Sequence, residues 1–313
     1  MSQTMQMVEA KAVYTNLPTL PPVLRRIDSS SNRFYYDVDA SGNPEFFPSV
    51  TTIIDACAPM PYGLKRWYAE MGWEKAQEQM NRAAHYGTFM HIMISEFLTR
   101  GQITLDSEID IRVKAYHDEE NLDFDNKWWA ESIRKDVLSF AAFANEKNLK
   151  VLAIEIPLKS RKGYAGTIDI VCELEFAKKT VRAIIDMKSG KKGFYETHEI
   201  QLAAYRDMWN ENFPELPVTM VFNWAPKDWM KDPTFTLTNQ TESENAAKWP
   251  YYLEMFRRFE AVKPKSWIEC RGTVHLGREI KGNYDIVDVE EFLKEKHSLS
   301  NTATLAMAAV EDF

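Results

Sequence analysis

Cysteine is scarce in this chain of 313 residues: Cys57, Cys172 and Cys270 lie far apart and form no CxxC pair. That spacing excludes a disulfide framework and a structural zinc site, and it fits a reducing compartment. No apolar run is long enough to span a bilayer, and the N-terminus lacks the basic-then-apolar pattern of an export signal. A soluble, cytoplasmic protein is therefore expected. A GxxxxGK[ST] phosphate loop is also missing, which argues against a P-loop nucleotidase. Positive charge is in short supply as well. The net charge of -8 argues against a protein that coats DNA throughout, although a local basic groove stays compatible with it. There are no internal repeats and no low-complexity segments.

What is present is ample core material, with 45% hydrophobic and 12% aromatic residues. The most informative stretch runs from Gly166 to Lys188, GTIDIVCELEFAKKTVRAIIDMK. Two apolar, β-branched runs flank a charged turn at Ala177, Lys178 and Lys179, so a hairpin is expected. Alternate strand residues share a face. Asp186 and Lys188 then project together, with Met187 on the other side, and pairing can bring Asp169 close to Asp186. Asp169 lies between Ile168 and Ile170, and Asp186 follows Ala183-Ile184-Ile185. A carboxylate in such a run needs a partner, because burying it unpaired is costly. A hard divalent cation would satisfy both and could act on a phosphodiester. A buried salt bridge, for instance to Lys188 or Arg182, is the alternative.

Around this stretch the chain reads as α/β, a mixed central sheet flanked by helices with an N-terminal helical layer. The first residues, to about Asn16, read as a loose arm. Arg33–Val38 and Phe46–Ile54 read as a hairpin around Ser41-Gly42-Asn43. Ser49, Thr51 and Thr52 read as ordinary strand or cap polarity, or as hydroxyls at a site entrance. Helices are expected over Tyr62–Met80, with Leu64, Trp67, Tyr68, Met71 and Ala76 as a buried stripe, over Ala83–Leu98, and over Trp128–Lys147. Gly101–Asn126 reads as loop with one short helix. A strand Val151–Leu158 carries Glu155. After the hairpin come a helix Phe194–Phe213, strands Val218–Trp224 and Thr234–Thr238, and a helix Glu244–Ala261. Gly87 and His91 lie one turn apart on one helix face, as do Gln201 and Tyr205. Basic groups stand at Lys65 and Arg66 beside Trp67, at Arg161 and Lys162, and at Lys191 and Lys192. Basic residues beside an aromatic suit single-stranded nucleic acid, whereas solvated turns and helix flanks are the plainer reading.

The segments Gly87-Thr88-Phe89-Met90-His91, Gly166-Thr167-Ile168-Asp169, Asp186-Met187-Lys188 and Gln201-Leu202-Ala203-Ala204-Tyr205, in that order, resemble the PD-(D/E)XK nuclease superfamily. More narrowly they resemble its RecB-type exonuclease branch and the phage or prophage members of it. The resemblance implies a restriction-endonuclease-like core and a metal-dependent DNA exonuclease of phage replication, recombination or repair, working in a bacterial host cytoplasm. A structure-specific or flap endonuclease and a catalytically inactive DNA-binding or assembly module are the alternatives. It implies that His91, Asp169, Asp186 and the Met187 carbonyl bind Mg²⁺ or Mn²⁺. Lys188 would position or activate the attacking water, Gln201 and Tyr205 would support it, and Glu155 would organise water or a second metal. The partner is DNA, single-stranded or at ends, with phage recombination or replication proteins as further partners. Some relatives hold an iron–sulfur cluster with four cysteines; three scattered ones imply none here. The expected division is an arm and hairpin over 1–45, a nuclease domain over 46–262, a small extension over 263–297 containing a capped helix from Asp288, and a tail over 298–313.

Overall fold

In the computed structural model, residues 6–8, 13–14, 17, 23–28, 32–38, 43–190 and 193–259 are described; all fall within the unit Met5–Lys265. The extension and tail expected beyond residue 262 lie outside the described residues, as do Lys191 and Lys192. Two short strands, β1 (Gln6–Val8) and β2 (Val13–Tyr14), occur where a loose arm was expected. They form because main-chain groups at exposed sheet edges accept a pairing strand: β1 pairs with β3 (Arg25–Asp28). A meander continues from β3 through β4 (Arg33–Val38) to β5 (Pro44–Pro48) and completes a small antiparallel sheet.

The strand expected over Phe46–Ile54 stops at Pro48, and Val50–Cys57 is instead a helix, α1. Ser49 switches the conformation: its Oγ accepts the Thr52 N–H at 2.9 Å, which caps α1. The three hydroxyls thus serve as helix-cap polarity. The next helix also ends earlier than expected. Gly72 takes φ +84°, so α2 (Tyr62–Met71) stops there and α3 runs unbroken from Trp73 to Arg100. The expected stripe on α2 is only half-buried, and no α2 residue is fully buried. The acidic region expected as mostly loop contains a full helix, α4 (Ser107–Glu119), before α5 (Asn126–Glu146). Ile109, Val113 and Tyr116 bury one face of α4 against α5 and outweigh its acidic composition.

The central ribbon is β6 (Lys150–Ser160), β7 (Tyr164–Phe176) and β8 (Lys179–Met187), antiparallel throughout. The β7–β8 turn places Ala177 and Lys178 at φ +50° and +64°, the left-handed pair of a tight hairpin. Helix α6 (Glu196–Asn212) then crosses over to β9 (Met220–Pro226), which pairs parallel with β8. Strand β10 (Phe235–Asn239) closes that edge, and β2 extends the opposite one beside β6. The result is an α/β fold: a mixed sheet of five full strands plus the two-residue β2, and seven α-helices among the described residues. The last helix, α7 (Trp249–Phe259), follows a 3-10 turn over Glu244–Lys248 that replaces its expected first turn.

Helices cover both faces of the sheet. Residues from α1, α6 and α7 pack with Ile168, Val171 and Ile184 on one side. Residues from α3, α4 and α5 pack with Ile170, Cys172, Ala183, Ile185 and Met187 on the other. Trp129, Ile133, Phe140 and Phe143 of α5 are fully buried there, each contributing about 1.5–3 kcal/mol. The ends of β7 and β8 are therefore gripped from both faces. No helix among the described residues is long and apolar enough to cross a membrane.

Candidate metal centre

The β7–β8 register pairs Ile170 with Ile185, which sets Asp169 beside the end of β8. Asp169 Oδ2 accepts the Met187 N–H at 2.7 Å. On β6, Ile154 pairs with Ile170 and Ile156 with Ile168, so Glu155 stands opposite Asp169. Glu155 has φ +48° in mid-strand. For a side chain other than glycine this conformation costs about 1–3 kcal/mol. From α3, one turn beyond Gly87, His91 reaches the same point. His91, Glu155 and Asp169 each bring a ligand atom to within 4.8 Å of the others.

His91 is held between acceptors. Nδ1 lies 3.1 Å from Glu155 Oε1 and 3.9 Å from Asp169 Oδ1, and Nε2 lies 3.1 Å from the Met187 carbonyl. Both ring nitrogens face oxygen, so both carry hydrogen and the ring is imidazolium. Burial opposes this charge, but Asp169 and Glu155 outweigh it and raise the His91 pKa to about 9. Burial raises the pKa of Asp169, with His91 and Lys188 pulling the other way. Asp186 is likewise raised by burial.

Asp186 has a different set of partners. Its Oδ1 accepts from Lys188 Nζ at 2.9 Å, and its Oδ2 accepts from Asn223 Nδ2 at 2.7 Å. Lys188 also donates to Gln201 Oε1 at 3.3 Å, and Gln201 Nε2 donates to the Tyr205 hydroxyl at 3.0 Å. Burial alone would lower the lysine pKa; Asp186 and Asp169 reverse that and hold Lys188 above its ordinary value. Met187 turns its side chain the other way, into the core under α3. Three carboxylates thus face one ammonium and one imidazolium, a net charge that attracts cations. Comparison with protein-family models and with curated proteins finds no match to this chain.

The oxygen-rich donor set with one imidazole fits Mg²⁺ or Mn²⁺. His91, Glu155 and Asp169 already converge, and an oxygen of Asp186 would join them. Two glycines shape the surroundings. A Cβ on Gly166 would lie 2.7 Å from Tyr205 Cε1, so the glycine lets the tyrosine ring lie on the strand. A Cβ on Gly87 would meet Ser189 Oγ at 3.3 Å, so α3 approaches the segment after Lys188 closely.

Of the expected basic contacts, Arg66, Arg161 and Lys162 have acidic partners of their own. Arg66 pairs with Glu70 on exposed α2, and Trp67 packs edge-on against Tyr68. Arg161 and Lys162, on the β6–β7 turn, pair with Glu211 and Asp207. At ~3.3 Å per residue they stand roughly 20 Å along the strand from Asp169.

Three neighbours of the site were not anticipated: Asn223, Gln240 and His198. Asn223 carried a readable signal, a polar residue inside the apolar run VTMVFNW. His198 lies one turn before Gln201 on α6; its Nδ1 accepts the Tyr195 N–H, while burial and Lys188 push its pKa down to about 4. Gln240, just past β10, carried no signal, because its role depends on what lies across the sheet.

Proposed function

We propose that this chain is a metal-dependent deoxyribonuclease built on a restriction-endonuclease-like core, acting on DNA ends as an exonuclease in phage replication, recombination or repair. The observation that carries the reading is the convergence of His91, Glu155 and Asp169 within 4.8 Å beside a lysine two residues after a buried aspartate. His91, Glu155, Asp169, the Met187 carbonyl and Asp186 would hold Mg²⁺ or Mn²⁺. When bound, the cation supplies charge neutralisation at phosphate and lowers the pKa of water.

The chain's own groups do the rest. Lys188, kept protonated by the carboxylates, donates to the attacking water or a phosphate oxygen rather than acting as a base. Gln201 fixes where the ammonium sits, and Tyr205 fixes Gln201. Tyr35 of the small sheet bonds Thr167 at 2.8 Å, which secures β7 two residues before Asp169.

The test is digestion of end-labelled linear and circular DNA, single- and double-stranded, with Mg²⁺ or Mn²⁺ and with chelator. Metal-dependent loss of linear substrate alone supports the exonuclease. Cutting of circles replaces it with an endonuclease, and no cleavage in any metal sinks the enzyme reading.

A further inference from the structure

We infer that Asn223, backed by Gln240, is a positioning residue that holds the Asp186 carboxylate in the orientation in which it meets Lys188 and a cation. The inference rests on the proposed metal centre and extends it across the sheet. Asn223 is the parallel neighbour of Asp186 in the β8–β9 register and is wholly buried. Its Nδ2 donates to Asp186 Oδ2 at 2.7 Å, and its Oδ1 accepts from Gln240 Nε2 at 3.2 Å. The main chain of Gln240 is itself tied down: its N–H donates to the Val221 carbonyl at 2.9 Å, and its carbonyl accepts from Ser243 at 3.2 Å.

An asparagine amide is nearly symmetric in shape, so packing alone does not choose which end faces Asp186. Asp186 chooses: its carboxylate only accepts and so draws the NH₂ group. The carbonyl then faces Gln240, which turns its own NH₂ to meet it. Gln240, Asn223, Asp186, Lys188, Gln201 and Tyr205 thus form one continuous hydrogen-bond network, in which donors converge on Asp186 from both sides and Lys188 donates onward to Gln201, which donates to Tyr205. With Asn223 donating to Oδ2 and Lys188 to Oδ1, the plane of the Asp186 carboxylate is fixed between two donors, and each oxygen keeps a lone pair for a cation. Partners that orient a metal ligand in this way are typically worth about 10–100-fold in affinity or activity.

The network can be perturbed from outside the site. Gln240→Glu faces the Asn223 carbonyl with an acceptor, whereas Gln240→Met offers neither donor nor acceptor at similar volume. Asn223→Asp removes the donor to Asp186 outright, and Asn223→Thr keeps one. We expect Asn223→Asp to weaken Mn²⁺ binding in a calorimetric titration by about 10–100-fold, with kcat falling and KM unchanged. Asn223→Thr should recover part of both. Gln240→Glu should lose more than Gln240→Met, which a packing role would not produce.

An independent readout is the Asn223 side-chain amide in ¹⁵N-asparagine spectra, assigned by its absence in Asn223→Asp. Its signal should shift in Gln240→Glu, in Gln240→Met and in Asp186→Asn, each of which removes or replaces one of its two partners. Wild-type metal affinity in Asn223→Asp, or an amide signal indifferent to Asp186→Asn, overturns the inference. If the wild-type protein binds no metal and cuts no DNA while the amide signal responds as described, the nuclease reading fails and the relay stands.

Discussion

On the proposed reading, a cation bound at His91 would displace a proton, and stabilisation by Mg²⁺ would be steeply pH-dependent. Both imidazole nitrogens donate in the metal-free arrangement, and Asp169 and Glu155 raise the pKa to about 9. At pH 7 only about one ring in a hundred is then neutral, so releasing the proton costs on the order of 3 kcal/mol. The cost falls by about 1.4 kcal/mol for each pH unit gained below the pKa. Between pH 6.5 and 8.5 the apparent Mg²⁺ affinity should therefore rise by roughly 100-fold. At fixed, excess Mg²⁺ the extra stabilisation is RT times the logarithm of that factor, again on the order of 3 kcal/mol. For a domain of this size it corresponds to about 5–10 °C in the Mg²⁺-minus-chelator difference in melting temperature. The metal-free protein moves the other way. A histidine whose folded pKa exceeds its ordinary value contributes stability fully present below about pH 6.5 and lost as the pH rises through about 9. The assay is thermal unfolding at pH 6.5, 7.5 and 8.5, with Mg²⁺ or chelator, for wild type and His91→Gln. The variant should show a small, pH-independent shift. An equal Mg²⁺ shift at all three pH values in the wild type would refute the assignment of His91 as a ligand that exchanges a proton for the cation.

Asp169→Asn should keep an acceptor for the Met187 N–H but remove the charge that faces His91, so the Mg²⁺-induced rise in melting temperature should largely vanish; an unchanged metal titration counts against its ligand role. Lys188→Ala should reduce turnover to background while leaving metal and DNA binding largely intact, and cutting at the wild-type rate would show the mechanism to be wrong. Gly166→Ala drives a Cβ to 2.7 Å from the Tyr205 ring, and such overpacking costs about 1–3 kcal/mol. Urea denaturation should register that loss, with a fall in kcat as the Gln201–Tyr205 pair shifts. Gly87→Ala meets only a rotatable hydroxyl at 3.3 Å and gains helix propensity, so its stability should stay within about 1 kcal/mol of wild type. Equal losses at the two glycines would contradict this account of the site's packing.

Much of the fold was readable because period and punctuation are local. The hairpin over Gly166–Lys188, the helix carrying Gln201 and Tyr205 and the long amphipathic α5 all announce themselves through spacing. The errors came where a single residue or a tertiary contact overrides composition. Gly72 in the left-handed region cuts the first helix short, and Ser49 converts the end of an apolar strand pattern into a helix cap. Helix α4 hides behind acidic residues because only its buried face speaks for it. At the site, Asp169, Asp186 and Asn223 share one signal, a polar side chain inside an apolar strand. Glu155 was noted on its strand, but its closeness to His91 depends on a φ of +48° that no neighbouring residue betrays. The partner of the Asn223 carbonyl is Gln240, which only the β9–β10 pairing brings near.

The costs gathered at this point argue that the arrangement is kept for chemistry rather than for stability. Anchoring the end of β8 would need no more than Asp186 with Lys188, or an apolar pair, since buried ion pairs are often replaceable by hydrophobic residues without loss. Instead Asp169 is buried with a raised pKa, Glu155 is strained beside it, and an imidazolium lies between them. The surrounding fold can bear this because β6, β7 and β8 are the most deeply paired strands and have apolar cores on both faces. A divalent cation replacing the His91 proton would meet Glu155 and Asp169 with greater charge than the imidazolium, easing the repulsion that now opposes their joint ionisation.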